Sequence, residues 1–178
     1  MIKKTKRTST GLWINGLFFG NYFYGICAVA LTIEATLQQQ YPLNNAAYFI
    51  AIFALTTWYY VLAYRAEKNA LSQNPRERWY VRNNKFVRFS QGILLTVSIV
   101  IIAAFLIQYR QRVLNISAYQ VMLLLMVPAA ATLYYGINFN PRYNLRKIGW
   151  IKPFVIGFTW AGFVTLYPIL FYKITHGI

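Results

Sequence analysis

The chain contains no aspartate, and its only acids are Glu34, Glu67 and Glu77. It has one histidine, His176, and one cysteine, Cys27. A lone cysteine permits neither an internal disulfide nor a cysteine-based metal site. Flanked by apolar residues, Cys27 is expected to be a small buried hydrophobe. No Ser–His–acid set can be built from these residues, and no spacing matches a metal-ligand cluster. A glycine-rich phosphate loop is missing as well. No catalytic, cofactor-binding or metal-ligating residue is therefore assigned, and no cofactor is expected. Charge of either sign is scarce: 12% of 178 residues, where soluble domains carry about 25%.

What is present is apolar. Hydrophobic residues make up 58% of the chain and aromatic ones 19%. That is more apolar surface than a core of this size can hide, so a membrane protein is expected. A span needs about 20 mostly apolar residues. Five segments qualify, at 12–36, 45–64, 89–109, 116–136 and 153–172. The expected fold is all-α: a single polytopic transmembrane bundle over 1–178 with about five membrane helices. The basic N-terminal stretch leads into an apolar run too long for a signal peptide, with no small-x-small cleavage site. A retained first span is expected.

The formal net charge is +15. Seven of the 18 Lys and Arg residues lie in the connector 65–88, together with Glu67 and Glu77. Counting basic residues over alternate connections puts fifteen on one side and three on the other. By the positive-inside bias the N-terminus is cytoplasmic and the C-terminus external. Nucleic acid is a poor partner for this charge, because the basic residues track span ends rather than a separate domain. Membrane lipids with anionic headgroups on the cytoplasmic side fit better.

Local signals refine the picture. Asn74-Pro75-Arg76-Glu77 reads as a capped helix start. That helix either runs on into the third span or lies flat, with Trp79, Tyr80 and Phe86 in the interface. Trp79, Arg82, Phe86 and Phe89 share one face. Asn115 is expected to cap the fourth span, and Asn115-Ile116-Ser117 is a sequon too close to the membrane to be used. Pro128 predicts a kink and Pro168 a bend. The stretch 136–141 reads as a loop. Trp13, Trp79 and Trp150 suit an interfacial belt, while Trp58 and Trp160 fall deeper.

Polar groups within spans are functional candidates because hydrocarbon makes them costly. Two stand out. Glu34 is either a cation or proton ligand in a cavity or a wetted carboxylate at the outer end of its span. Asn21 is placed to bond across helices. On the cytoplasmic face, Arg65, Lys68, Arg76, Arg78, Arg82, Arg142, Arg146 and Lys147 come from two connectors. They are candidate contacts for a diphosphate or an anionic lipid headgroup. Each is worth about 1 kcal/mol near an anionic surface, which accounts for them without a dedicated ligand.

Four stretches carry a family resemblance: 21–34 from Asn21 to Glu34, Thr57-Trp-Tyr-Tyr60, Asn74-Pro-Arg-Glu-Arg-Trp-Tyr80, and 145–168 with Trp150, Lys152, Pro153, Trp160 and Pro168. In order and spacing they resemble UbiA-type prenyltransferase homologues of Bacteroidetes. The resemblance implies a helical protein of the bacterial inner membrane, shortened to about five of the family's nine spans. It also implies two aspartate-rich motifs that hold Mg²⁺ and a prenyl diphosphate. The first belongs at the end of the second span, where this chain has Arg65 and Glu67 and no aspartate. The second follows a sixth span, absent from this sequence. The leading expectation is therefore a non-catalytic UbiA-like subunit or scaffold of a larger membrane assembly, with other membrane subunits as partners. The alternatives are a prenyltransferase or half of one, using Mg²⁺ with Glu67 or a partner chain, and a small transporter or lipid-binding module built around Glu34 and Asn21.

Overall fold

The structure is a computed structural model that describes residues 9–65, 74–135 and 150–177. Among the described residues the secondary structure is entirely helical. This follows from the solvent: with no water to bond to, the backbone must satisfy its own N–H and C=O groups. α1 (Ser9–Phe19) and α2 (Tyr22–Gln38) cover the first expected span, and α3 (Ala46–Arg65) the second. The short α4 (Pro75–Arg82) precedes α5 (Asn84–Gln108), the third. After the brief α6 (Arg110–Leu114), α7 (Ala118–Tyr135) is the fourth. The fifth is α8 (Ile151–Ala161), a π-helical turn (Gly162–Leu166) and α9 (Tyr167–His176).

Two stretches are long and apolar enough to cross a bilayer, Asn84–Gln108 and Pro153–His176. The pair Trp13–Phe19 and Tyr22–Gln38 makes a third if its two arms, bent by 65°, form one span. Ala46–Leu62 and Ala118–Thr132 are apolar but shorter. The polarity of the helices is inverted relative to a soluble protein. On α5 the buried face is Val87, Gln91, Leu94 and Ser98, while Phe89 and Ile107 are exposed. On α2 the buried face is Asn21, Gly25, Ala28, Thr32 and Thr36, while Phe23, Ile26, Leu31 and Leu37 point outward. Polar atoms turned inward and aliphatic ones outward are the signature of a hydrocarbon surround. The chain is a membrane protein, and all of the secondary structure among its described residues is helical.

Its helices gather into two compact units. One holds α1, α2 as far as Val29, α3 from Ala47, α4, and α5 as far as Ile102. Here α2 and α3 approach closely at Gly25, where an added Cβ would collide with Thr57 Oγ1 and lie 2.8 Å from Phe53 Cδ2. Tyr24 stacks on Tyr60 at 4.6 Å, and Gln91 donates to the carbonyl of Trp58 at 3.0 Å. The other unit holds the rest of α2 and α5 with α6 to α9. In it Tyr167 donates to the carbonyl of Leu124 at 2.6 Å, Phe105 stacks on Phe171, and Asn44 donates to the carbonyl of Pro168.

Several local expectations change. The helix over the first expected span is broken at Gly20–Asn21, where Asn21 adopts a left-handed backbone with φ 62°. α4 does not run straight into α5. Asn83 interrupts them, its N–H and its side-chain amide both bonding the Trp79 carbonyl. Helix α7 is capped by Ser117 rather than Asn115: Ser117 Oγ accepts from Gln120 N–H, and Gln120 Oε1 accepts from Ser117 N–H. That reciprocal pair is a capping box, whereas Asn115 closes α6. Pro128 lies inside helix α7, where it was expected. Pro168 acts by lacking an N–H for the carbonyl four residues back, and the helix re-registers through the π turn before it. Cys27 is half-buried rather than buried. Trp13 and Trp150 are exposed, while Trp58, Trp79 and Trp160 are half-buried. The expected loop 136–141 lies outside the described residues.

The π turn brings Gly162 against α7, where an added Cβ would sit 2.6 Å from Val127 Cγ2. Valine is stiff at χ1 and cannot swing away. Gly→Ala in a helix normally gains about 1 kcal/mol, while overpacking costs about 1–3 kcal/mol. Gly162→Ala is therefore expected to lower stability by up to about 2 kcal/mol. Val127→Ala in the same chain is expected to relieve most of that loss, giving a double-mutant cycle far from additive in detergent unfolding experiments.

Candidate functional site

The site forms at the break between α1 and α2. Gly20 ends α1, bonding back to the Gly16 carbonyl at 2.9 Å, and Asn21 follows in the left-handed region. Asparagine tolerates that conformation better than any other residue with a Cβ, apart from aspartate. The turn leaves the Asn21 side chain fully buried rather than in solvent. A buried amide needs partners, and α4 supplies both. Asn21 Nδ2 donates to Tyr80 Oη at 2.9 Å, and Arg76 Nη2 donates to Asn21 Oδ1.

Local sequence makes α4 fit this task. Asn74 Oδ1 accepts from Arg76 N–H at 2.9 Å, Pro75 occupies the first turn, and Glu77 sits near the positive end of the helix dipole. Arg76 and Tyr80 are four residues apart, so they share one face. Around them Tyr80 packs with Val61 and Val87, and Trp79 meets the edge of Phe19 with centroids 6.1 Å apart. On the next turn of α2, Tyr22 shares a hydrogen bond with Ser90 of α5.

Beside this junction lies a cavity of about 600 Å³. Trp13, Tyr22, Trp79 and Phe86 give it an aromatic lining with Leu17 beside them, and Arg82 and Asn83 add polar groups. A volume of about 300–1,000 Å³ with mostly apolar walls and a few polar groups is typical of a small-ligand site. Among the described residues no hydrogen bond or ion pair engages Arg82.

The basic candidates from the sequence thus divide. Arg76 is turned onto Asn21, Arg82 lines the cavity, and Arg78 is exposed. Arg65 is the last residue of α3. Lys68, Arg142, Arg146, Lys147 and Glu67 lie outside the described residues. Glu34 is exposed near the other end of α2 and accepts from Gln38 Nε2 at 2.9 Å. Among the described residues no three of His, Cys, Asp and Glu come together. Sequence reading missed Tyr80 as a partner for Asn21. The spacing of Arg76 and Tyr80 after a strong cap was the available signal, but nothing local reveals a partner 59 residues away.

Two substitutions separate backbone from side chain at Asn21. Asn21→Ala loses two buried hydrogen bonds, at about 1 kcal/mol each, and adds left-handed strain of about 1–2 kcal/mol. Asn21→Gly loses the bonds without the strain. In unfolding titrations Asn21→Ala is expected to be the less stable of the two by about 1 kcal/mol, and Tyr80→Phe to lose about 1 kcal/mol alone. Comparison of the chain with known protein families, with curated proteins and with solved structures returned no match.

Proposed function

We infer that the protein is a non-catalytic, UbiA-like subunit or scaffold of a larger assembly in a bacterial inner membrane. It crosses the membrane five times with its N-terminus in the cytoplasm. The observation that carries the subunit reading is the bareness of the spans. Only 17% of the most apolar stretch of α5 is buried, and 11% of that within Pro153–His176. Such faces meet either lipid or the helices of other chains. Five spans are supported by helix length: α3 has 20 residues and α7 has 18. These correspond to about 30 and 27 Å at 1.5 Å per residue, close to the hydrocarbon thickness of about 30 Å. The distribution of basic residues supports the orientation, with Arg76, Arg78 and Arg82 on α4 at the cytoplasmic headgroup level. A non-catalytic role is supported by composition: three acids and no aspartate are too few for hard-cation sites.

Side-specific labelling tests the topology. In a Cys27→Ala background, Arg78→Cys is expected to react only from the cytoplasmic side and Leu43→Cys only from outside. Labelling of both from one side sinks the five-span reading. Native mass spectrometry of the tagged chain, extracted mildly from its own membranes, is expected to show stoichiometric partner chains. A protein that arrives alone and releases diphosphate from a prenyl diphosphate with Mg²⁺, losing this with Glu67→Gln, is an enzyme instead.

A further inference from the structure

The cavity beside α4 has two kinds of wall. Trp13, Leu17, Trp79 and Phe86 offer apolar and aromatic surface, while Arg82 and Asn15 offer a cation and an amide. The amphipathic character comes from helix geometry: Trp79, Arg82 and Phe86 recur at intervals of three and four along α4 and the start of α5. The pocket of about 600 Å³ is open-sided, with Trp13 and Phe86 exposed, so it fills from its surroundings. Walls this apolar favour an occupant with apolar surface over water. A free phosphate or diphosphate would use Arg82 and leave the aromatic wall wet. A neutral lipid would use the aromatic wall and leave the guanidinium without a counter-charge. An anionic amphiphile satisfies both.

We propose that this cavity binds one anionic phospholipid, with its phosphate against the Arg82 guanidinium and the first part of its acyl chains against Trp13, Trp79 and Phe86. The proposal rests on the reading above that α4 lies at the headgroup level of the basic side. Arg82 is suited to the role in a way its neighbour is not. Arg76, on the same helix, already donates to Asn21 inside the protein. Its bond holds α4 in place, so Arg82 is presented to the cavity from a fixed helix rather than from a loose connector. Arg78 and Arg88 are exposed and do not line the cavity, and they serve the general attraction of the basic face to anionic lipid.

The test uses the full-length chain in detergent, mixed with equal amounts of phosphatidylglycerol and phosphatidylcholine, with retained lipid read by native mass spectrometry. The wild-type chain is expected to retain one phosphatidylglycerol in preference to phosphatidylcholine. Removing any one interfacial cation lowers anionic-lipid binding by about fivefold, and Arg78→Gln sets that baseline. Arg82→Gln is expected to lose about tenfold more, because it removes a charge-assisted hydrogen bond as well. Phe86→Ala is expected to weaken retention of phosphatidylglycerol with no change in binding of inorganic diphosphate.

Equal losses for Arg82→Gln and Arg78→Gln would overturn the site in favour of diffuse surface charge. So would equal retention of the two lipids by the wild type. Binding of inorganic diphosphate as tight as that of phosphatidylglycerol would assign the cavity to a free phosphate compound and overturn the lipid. The wild-type comparisons need no variant to fold. The experiment is run in micelles on the isolated chain, so its failure leaves the labelling and partner results untouched.

Discussion

The inward turn of most polar side chains on these helices reflects the absence of water from hydrocarbon. A polar side chain on a membrane helix has no solvent to fall back on, so it finds a partner within the protein or sits at the interface. Asn21, Gln91 and Ser98 obey this by turning inward, and Glu34 obeys it by staying at an exposed helix end. The same constraint sets the packing partners. Thr36 and Ser98 spend their hydroxyls on carbonyls four residues back, at 2.7 and 2.8 Å. Gln91 reaches from α5 to a backbone carbonyl of α3. Cohesion between helices then comes from small residues and a few hydrogen bonds rather than from burial of aliphatic surface.

Asn21 is where this constraint meets chain geometry. Its backbone ends one helix and begins another, and its amide fastens a third. A break in a membrane span exposes backbone polar groups that need cover. At this break the cover is α4, whose own start is fixed by Asn74 and Pro75. The basic connector therefore divides its work along a few residues: Arg76 and Tyr80 face the protein, Arg82 lines the pocket, and Arg78, Lys85 and Arg88 remain on the exposed side.

Much of the helical content was legible because long apolar runs have few alternatives. The ends of α3 and α5 fall close to where composition places them, and the Asn74 cap was readable from four residues. The break at Gly20–Asn21 was not legible. Glycine and asparagine occur within membrane helices without breaking them, and only the backbone shows that Asn21 has φ 62°. The Ser117–Gln120 capping box was present in the sequence, but the neighbouring Asn115 drew attention to the wrong cap. The identity of Asn21 as a bonding residue was legible; its partners were not, since they depend on how a connector folds back. The cavity was out of reach for the same reason: Phe86 is far in sequence from Trp13 and Tyr22 and meets them through tertiary structure.

The π turn at Gly162–Leu166 gives the last span an unusual tolerance. A stretch of 24 helical residues from Pro153 to His176 is about 36 Å long at 1.5 Å per residue, more than the roughly 30 Å of a bilayer core. A π turn holds one residue more than an α turn needs. Loss of one residue within it would restore α-helical pairing except at Pro168, while leaving the side-chain faces above and below in register. Insertions and deletions elsewhere in a membrane helix rotate everything beyond them by about 100°. This span instead carries a built-in slack link, through which its length can drift over evolutionary time without repacking its neighbours.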